Sequence, residues 1–290
     1  MKTITTLKQL LNSNELSFVM ESHNALSAKI AEQAGFKAIW ASGLSISASM
    51  GLSDRNEASW SQVVEIAEHM ADHVNIPVLL DGDSGFGNFN NVARLVKKLC
   101  QRGIAGVCFE DKLFPKQNSF IGEAQDLENI EEFCAKIKSA KDSQTNPEFC
   151  VIARVEALIA GLSMDEALKR AIAYHNAGAD AILIHSKKST GDEVIEFSRL
   201  WENRCPLVIV PTKYYNHPTS DYADNGISTV IWANHSLRAS ISAMYEITRK
   251  IMSESSVSGV ESHIATLPEV FSLTNEYAVQ EAENKYFAHG

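Results

Sequence analysis

Short apolar runs alternate with amphipathic stretches along nearly the whole chain, and this alternation constrains the fold more than any other feature. It is typical of a parallel architecture in which each strand is followed by a helix. Eight runs are predicted as strands, at residues 17–21, 38–42, 77–81, 106–110, 150–154, 181–185, 207–211 and 229–232. Helical patterns lie between or after them at 25–34, 60–73, 90–102, 127–141, 164–177 and 236–252. This order favours a (β/α)₈ barrel over an open sheet.

Glycine lies at four places where a helix should stop before a strand, and it tolerates the left-handed conformation in which many helices end. These glycines are Gly35, Gly103, Gly178 and Gly226. A chain of 290 residues suits one barrel domain of about 250 residues with an extension. We therefore expect a barrel over residues 1–252 and a C-terminal segment over 253–290. That segment contains a final predicted helix from Leu267 to Lys285, which has no strand of its own and is expected to pack on a neighbouring subunit.

Charge and composition argue against several classes of partner. The formal net charge is −10 and no basic stripe is visible, which argues against a nucleic-acid surface. The five cysteines show no C-x-x-C spacing, so neither a disulfide framework nor a zinc site is predicted. No run of about 18 apolar residues would span a bilayer, and the N-terminal residues lack the apolar core of a signal peptide. We expect a cytoplasmic protein that acts on a small molecule, without membrane or nucleic acid.

Acidic residues end two neighbouring predicted strands. Because the active site of a parallel barrel lies at the C-terminal ends of its strands, these residues are the first candidates for chemistry. Asp81 and Asp83 stand two residues apart, and Glu110 closes the next strand. Three hard oxygen ligands suit Mg²⁺ better than zinc. A D-x-D-x-G sequence is also common in plain turns, so the spacing alone leaves both interpretations open, and Glu110 favours the metal site.

A basic side chain, an imidazole and a long loop add to the candidate site. Arg154 and His185 end two further strands and could bind a carboxylate or phosphoryl group, although an arginine there is often a plain salt-bridge partner. Residues 110–123 form a loop that is long for a barrel, and it is either a lid or a surface insertion. Its polar or turn-forming residues include Pro115, Asn118, Ser119 and Gly122.

Asp54 lies in a second long segment, residues 43–59. It could belong to the site or could simply cap the helix predicted from Trp60. Ser59 would serve as that cap equally well.

Several motifs together resemble the phosphoenolpyruvate mutase branch of the isocitrate lyase superfamily. The diagnostic run is Glu110-Asp111-Lys112, five residues, then Asn118-Ser119, which fits the pattern E-D-K, five residues, N-S. Further matching runs begin at Trp40, Asp54, Gly85, Ala153 and Ile184, so the resemblance covers most of the chain.

This resemblance implies a fold, a reaction and an assembly. The implied fold is a (β/α)₈ barrel whose last helix is exchanged with a partner subunit, usually in a tetramer that is a dimer of helix-swapped dimers. The implied reaction interconverts phosphoenolpyruvate and phosphonopyruvate with Mg²⁺. Among the implied metal residues, Asp81 approaches the ion most closely, and Asp83 and Glu110 hold its waters.

The same resemblance implies roles around the substrate. Trp40, Ser42, the amides of Gly43 and Leu44, and Arg154 would bind the pyruvyl part. The phosphoryl group would be surrounded by Asp54, Asn118, Arg154 and His185. Lys116 and Ser119 would lie on the closing loop. An aspartate at position 54 is compatible with a transient nucleophile and with an orienting group.

Some positions depart from the commoner family pattern. Members often read D-A-D-T-G-Y-G where this chain has Gly82 and Ser84, and D-S-N-E where it has Arg55, so we expect altered loop flexibility and charge. The superfamily's lyases carry a catalytic cysteine soon after the acidic strand end, where this chain has Leu113 and Phe114. That difference argues against C–C cleavage of isocitrate. The alternatives are a phosphonopyruvate hydrolase, then a C–C lyase or oxaloacetate decarboxylase, and a non-catalytic barrel subunit.

Overall fold

A closed parallel barrel forms the larger part of the chain. The computed structural model describes residues 6–119 and 126–287. Within them, eight strands pair in sequence order and β8 returns to β1. Every predicted strand is present to within two residues at either end, and the predicted (β/α)₈ class is confirmed. The strands are β1 (Ser17–Ser22), β2 (Ala38–Ala41), β3 (Val78–Asp81), β4 (Gly106–Glu110), β5 (Cys150–Val155), β6 (Ala181–Ile184), β7 (Leu207–Ile209) and β8 (Thr229–Trp232).

The helices that the sequence predicted between strands begin at capping side chains. Asn24, Ser59, Asn88 and Ser163 each accept a hydrogen bond from a backbone N–H of the first turn that follows. Such a cap satisfies a donor that has no partner inside the helix. The helices are α1 (Leu7–Leu11), α2 (Ala25–Gln33), α3 (Gly43–Ser49), α4 (Trp60–His73), α5 (Phe89–Gln101), α6 (Ile130–Ser143), α7 (Met164–Asn176), α8 (Asp192–Trp201), α9 (Thr219–Asp224), α10 (His235–Glu254), α11 (Leu267–Thr274) and α12 (Glu276–Tyr286).

Three details of the helix prediction were wrong. The helix expected from Leu127 begins at Ile130, because Leu127 forms an antiparallel bridge with Lys112. The short helices α1, α3, α8 and α9 were not predicted. The single helix expected from Leu267 to Lys285 is two helices, separated at Asn275, whose φ of 61° is left-handed. The helix-ending glycines were predicted correctly, with φ values of 96° at Gly35 and 108° at Gly178.

Apolar side chains fill the barrel at the N-terminal ends of its strands. Leu7, Leu10 and Leu11 of α1 join the cluster of inward-facing strand residues that includes Leu79 and Ile152. A second, larger cluster lies between the strands and the helices outside them. Since α1 closes the N-terminal end of the barrel with leucines, polar chemistry is left to the opposite end, where the strands finish.

Two compact units are distinguished, one from Met1 to His235 and the other from Ser236 onward. The sequence had placed the end of the barrel domain at residue 252, which lies within α10, and that boundary stays a prediction. All five cysteines are free thiols. None of the helices in the described ranges is long and apolar enough to cross a membrane.

Candidate active site

A small cavity of about 60 Å³ opens at the C-terminal ends of the strands. The predicted site residues that line it are Trp40, Ser42, Leu44, Asp54, Asp81, Glu110, Lys116, Asn118, Ser119, Arg154 and His185. Gly43 and Asp83 lie next to the residues that line the cavity. A Cβ atom added to Gly43 would be 3.1 Å from Asp83 Oδ1 and 3.2 Å from Asp81 Oδ2. All the predicted residues are therefore brought together at one site.

The acidic residues form one buried group. Asp81 ends β3, Glu110 ends β4, and the Glu110 N–H donates to the Asp83 carbonyl at 2.8 Å. The Gly43 N–H donates to Asp81 Oδ2 at 3.2 Å. Burial raises the pKa of Asp83 to about 8, the Lys116 ammonium opposes this rise, and the carboxylates of Asp81 and Glu110 add to it. Burial also raises the pKa of Glu110. Buried carboxylates held this close are stabilised by a compensating cation.

Gly82 lets this acidic turn lie against β4. A Cβ atom at this position would be 2.5 Å from Val107 Cγ2 and 2.8 Å from Phe109 Cε1. The space that an alanine methyl would take is filled by two side chains of the next strand. The packing of β4 therefore favours glycine at position 82 over the alanine of the commoner D-A-D pattern.

The loop after β4 covers the cavity, and we call residues 113–119 the lid. Lys116 Nζ lies 2.8 Å from Asp54 Oδ1 and is also ion-paired with Asp83. Asn118 Nδ2 donates to Asp54 Oδ2 at 2.7 Å. Both oxygens of Asp54 therefore bind lid groups, whereas Ser59 is the cap of α4. The rest of the predicted loop, including Gly122, lies outside the described residues.

Asp54 and Lys116 are held as ions by their contact. Burial acts to raise the pKa of Asp54, but the Lys116 ammonium and the Asn118 amide lower it below its ordinary value. Burial acts in the opposite direction on Lys116, and Asp83, Asp81 and Asp54 raise its pKa well above the ordinary value. The lid thus brings a fixed positive charge to the acidic side of the cavity.

Arg154 and His185 meet on the other side of the cavity, over Glu156. Arg154 Nε donates to Glu156 Oε1 at 2.5 Å, and His185 Nδ1 lies 2.7 Å from the same oxygen. Burial, with Arg154 adding to it, lowers the pKa of His185. Burial would raise the pKa of Glu156, but Arg154 and His185 hold it well below its ordinary value. An imidazole and a guanidinium are thus oriented by one buried carboxylate.

Lys112 ties the lid to the same carboxylate. Its ammonium group donates to the Gln117 carbonyl at 2.9 Å and to Ser119 Oγ at 2.6 Å, and it lies 3.2 Å from Glu156 Oε2. Ser119 Oγ in turn donates to Glu156 Oε2 at 2.8 Å and accepts from Arg154 Nη2 at 3.0 Å. The end of the lid is therefore bonded into the group that orients Arg154.

Asp111 supports this group from below. Its Oδ1 accepts from the Glu156 N–H at 2.8 Å, and its Oδ2 accepts from Arg170 Nη1 at 3.0 Å and from the Tyr174 hydroxyl at 2.8 Å. Burial raises the pKa of Asp111. Two residues of the E-D-K motif, Asp111 and Lys112, thus fix the residues around the site and lie outside the lining of the cavity.

Strand-end reasoning pointed to Lys112, Glu156, Thr212 and Asn234, because each follows or ends a strand, and it placed Glu156 beside the acidic cluster, but none of the four was assigned a role in the predicted site. The only sequence signal for Asn56 was its position close to Asp54 in the chain. Its contacts run to residues 27 and 60 positions away in the chain, which no local pattern reveals. Further lining residues that were not predicted are Gln117, Val210 and Ala233.

Comparison with known proteins gives a consistent result. The family model described as phosphoenolpyruvate phosphomutase matches residues 7–252. The phosphoenolpyruvate phosphomutase of Tetrahymena pyriformis is 55% identical over 283 residues, covering 97% of this chain and 94% of that protein. The crystal structure of phosphoenolpyruvate phosphomutase from Streptomyces platensis subsp. rosaceus matches with a TM-score of 0.95 at 43% identity, over 97% of this chain and 98% of that one. A phosphonopyruvate hydrolase crystallised with oxalate and Mg²⁺ matches with a TM-score of 0.91 at 40% identity, covering 97% of this chain and 98% of that one.

Proposed function

This chain belongs to the phosphoenolpyruvate phosphomutase family, and from that membership we propose that it interconverts phosphoenolpyruvate and 3-phosphonopyruvate by moving a phosphoryl group between the enol oxygen and C3 of pyruvate. The enzyme is then an isomerase of the phosphomutase type. The observation that carries the proposal is the closed lid, with Lys116 and Asn118 both bonded to Asp54 beside the acidic group. This arrangement encloses a small anionic substrate between positive groups and keeps water out.

The acidic group fits a hard divalent cation such as Mg²⁺. Glu110 Oε1 is buried, and no hydrogen-bond partner for it is found in the described part of the chain. An unpaired buried carboxylate oxygen calls for a cation or an ordered water. Within residues 6–119 and 126–287, no group of three or more His, Cys, Asp or Glu side chains is arranged to coordinate a metal ion. The proposed site has one direct carboxylate, Asp81, and leaves Asp83 and Glu110 to hold waters.

We assign the remaining roles by position around the cavity. When bound, Mg²⁺ would supply a Lewis acid that stabilises the enolate of the substrate. Ser42 and the Gly43 and Leu44 amides bind the pyruvyl part, beside Trp40 and with Arg154. Asn118, His185 and Arg154 surround the phosphoryl group, and Arg154 needs little rearrangement, since Glu156 and Ser119 already hold it in place. Such a site accelerates a dissociative transfer through positioning and charge.

The test of the proposed function is the product formed from phosphonopyruvate. With Mg²⁺ present, ³¹P NMR is expected to show phosphoenolpyruvate as the product. Inorganic phosphate as the main product would identify a hydrolase instead. Cleavage of isocitrate or methylisocitrate, or release of CO₂ and pyruvate from oxaloacetate, with no phosphorus chemistry, would identify a C–C lyase or an oxaloacetate decarboxylase.

Asn118 to alanine is expected to lower kcat/KM by about 2–4 kcal/mol of transition-state stabilisation, the size of a lost oxyanion-hole donor. A neutral amide donates to phosphoryl oxygens without offering a base that activates water. Steady-state rates and Tm measured on one preparation distinguish a role in phosphoryl transfer from a role in loop stability. If Asn118 only stabilised the loop, Tm would fall and the kinetics would stay nearly normal.

We also propose that the chain forms oligomers in the cytoplasm, with C-terminal helices exchanged between subunits. The free cysteines support a reducing compartment. The C-terminal unit exposes large apolar side chains, among them Tyr245, Phe271, Tyr277 and Val279, and such surfaces are usually covered by another chain. Mass measurement in solution by light scattering tests the expected tetramer, and a monomer would contradict it.

A further inference from the structure

Asn56 bridges the lid and the acidic group with the two ends of one side chain. Its Nδ2 donates to Asp83 Oδ2 at 2.6 Å, and its Oδ1 accepts from the backbone N–H of Lys116 at 2.7 Å. Both bonds are short. A single neutral amide therefore joins the candidate metal site to the covering loop.

The bridge requires an amide at this position. An aspartate would keep the acceptor for Lys116 but would place a second negative charge against Asp83, and a serine offers only one polar atom in place of two. The backbone of Asn56 is left-handed, with φ of 58°. Asparagine, aspartate and glycine adopt this conformation more readily than other residues.

The surrounding turn does not depend on this side chain. Glu57 Oε2 accepts from the Ser53 N–H at 2.8 Å and also binds the Ser53 hydroxyl, and these bonds close the turn from outside. Asn56 turns its amide away from them, toward Asp83 and the lid. A role limited to shaping the turn would not account for two bonds to distant segments.

Lys116 is thus held at two points. Its backbone binds Asn56, while its ammonium group binds Asp54 and Asp83. Asp83 accepts a hydrogen bond from Asn56 and forms an ion pair with Lys116, so its carboxylate is oriented by the lid, and the lid is held by the carboxylate. A change at either end is transmitted to the other through one residue.

We propose that Asn56 is a positioning residue that couples closure of the lid to the orientation of the Asp83 carboxylate. Its catalytic consequence rests on the proposed function. Without the bridge, the lid opens more often during turnover, and water captures the phosphoryl group that should return to the pyruvyl carbon or oxygen. Each such event breaks the P–C or P–O bond of the substrate, adds water to phosphorus and releases inorganic phosphate with pyruvate.

The test uses the full chain with two substitutions that suit a left-handed backbone, Asn56→Gly and Asn56→Asp. The matched control is Asn203→Gly, because Asn203 is also left-handed, with φ of 55°, and is absent from the lining of the cavity. Hydrogen exchange at the Lys116 amide measures lid closure directly. The ³¹P spectrum with phosphonopyruvate and Mg²⁺ measures the share of inorganic phosphate among the products.

We expect the exchange protection of the Lys116 amide to fall about tenfold in Asn56→Gly, the effect of losing one hydrogen bond, and to fall less in Asn56→Asp, which keeps the acceptor for that amide. We expect the share of inorganic phosphate to rise in both, while Asn203→Gly matches the wild type in both measurements. Unchanged protection at Lys116 would overturn the coupling. Lower kcat with an unchanged share of phosphate would overturn it as well. If the wild type gave no phosphoenolpyruvate, the proposed function would fail, and the exchange data would still decide whether Asn56 holds the lid.

Discussion

Asp81→Ala is expected to abolish turnover and to weaken Mg²⁺ binding by more than about 100-fold, since the carboxylate proposed to face the ion cannot be replaced by water without loosening the substrate chelate. We expect kcat/KM to fall by about 10³-fold or more, because a Lewis acid contributes several kcal/mol of charge stabilisation. Asp81 Oδ2 is aligned by the Gly43 N–H, which the substitution leaves without that acceptor. Titration calorimetry with Mg²⁺ and steady-state kinetics measure the two effects.

The folded state should tolerate this change. Asp81 adds to the rise in the pKa of Asp83, after burial and against the effect of Lys116, so removing it relieves repulsion between like charges in the metal-free protein. The Tm measured without Mg²⁺ should therefore not fall below that of the control Asp72→Ala, which alters an exposed residue of α4. Near-normal activity of Asp81→Ala at subsaturating Mg²⁺ would rule out the metal assignment.

Asp54→Ala is expected to reduce kcat by about 10³-fold or more while Mg²⁺ affinity stays nearly unchanged. The substitution removes the partner of two lid groups at once, Lys116 and Asn118, and effects of this kind on one site are large and not additive. Lys116 keeps its ion pair with Asp83, so the charge beside the metal site is retained. Calorimetry and single-turnover kinetics on the same preparation separate the two quantities.

The variant Asp54→Asn distinguishes the two possible roles of Asp54, a transient nucleophile and an orienting group. An asparagine still accepts a hydrogen bond from Asn118 but cannot attack phosphorus, so an orienting role predicts residual activity above that of Asp54→Ala. Equal loss in both variants would favour a nucleophile. A defect confined to Mg²⁺ binding would show that Asp54 belongs to the metal site and that its assignment to the phosphoryl group is wrong.

The barrel and the position of the site could be predicted because their determinants are local. Each strand is a short apolar run, and each functional side chain at a strand end is fixed by its place in that run, as with Glu110 and Arg154, which are register partners at the ends of β4 and β5. A parallel barrel then brings such residues together regardless of their separation in sequence. The family resemblance added the lid residues Lys116 and Asn118, which no strand-end rule would select.

Helices without local signals were missed. The helices α8 and α9 follow Gly191 and Pro218, and neither of these residues caps its helix with a side-chain hydrogen bond. The break at Asn275 was missed because the apolar pattern continues across it, and the left-handed backbone there is a property that asparagine permits without requiring.

Contacts between distant loops were equally out of reach. The pairing of Lys112 with Glu156, and of Asn56 with Asp83, depends on how two loops fold over each other after the barrel has formed. Polar residues in loops are abundant, and nothing in their spacing distinguishes these from solvated ones. The supporting residues of the site thus emerge only from the structure.

The close packing of Gly82 against β4 limits which residues this turn accepts. A methyl group there would collide with Val107 and Phe109, and valine, branched at Cβ, has little freedom to move aside. A single change from Gly82 to alanine is therefore disfavoured in the present background, and a smaller residue on β4 would relieve the collision. The residue between the two aspartates is thus restricted by its neighbours on β4 as well as by the chemistry at the mouth of the barrel.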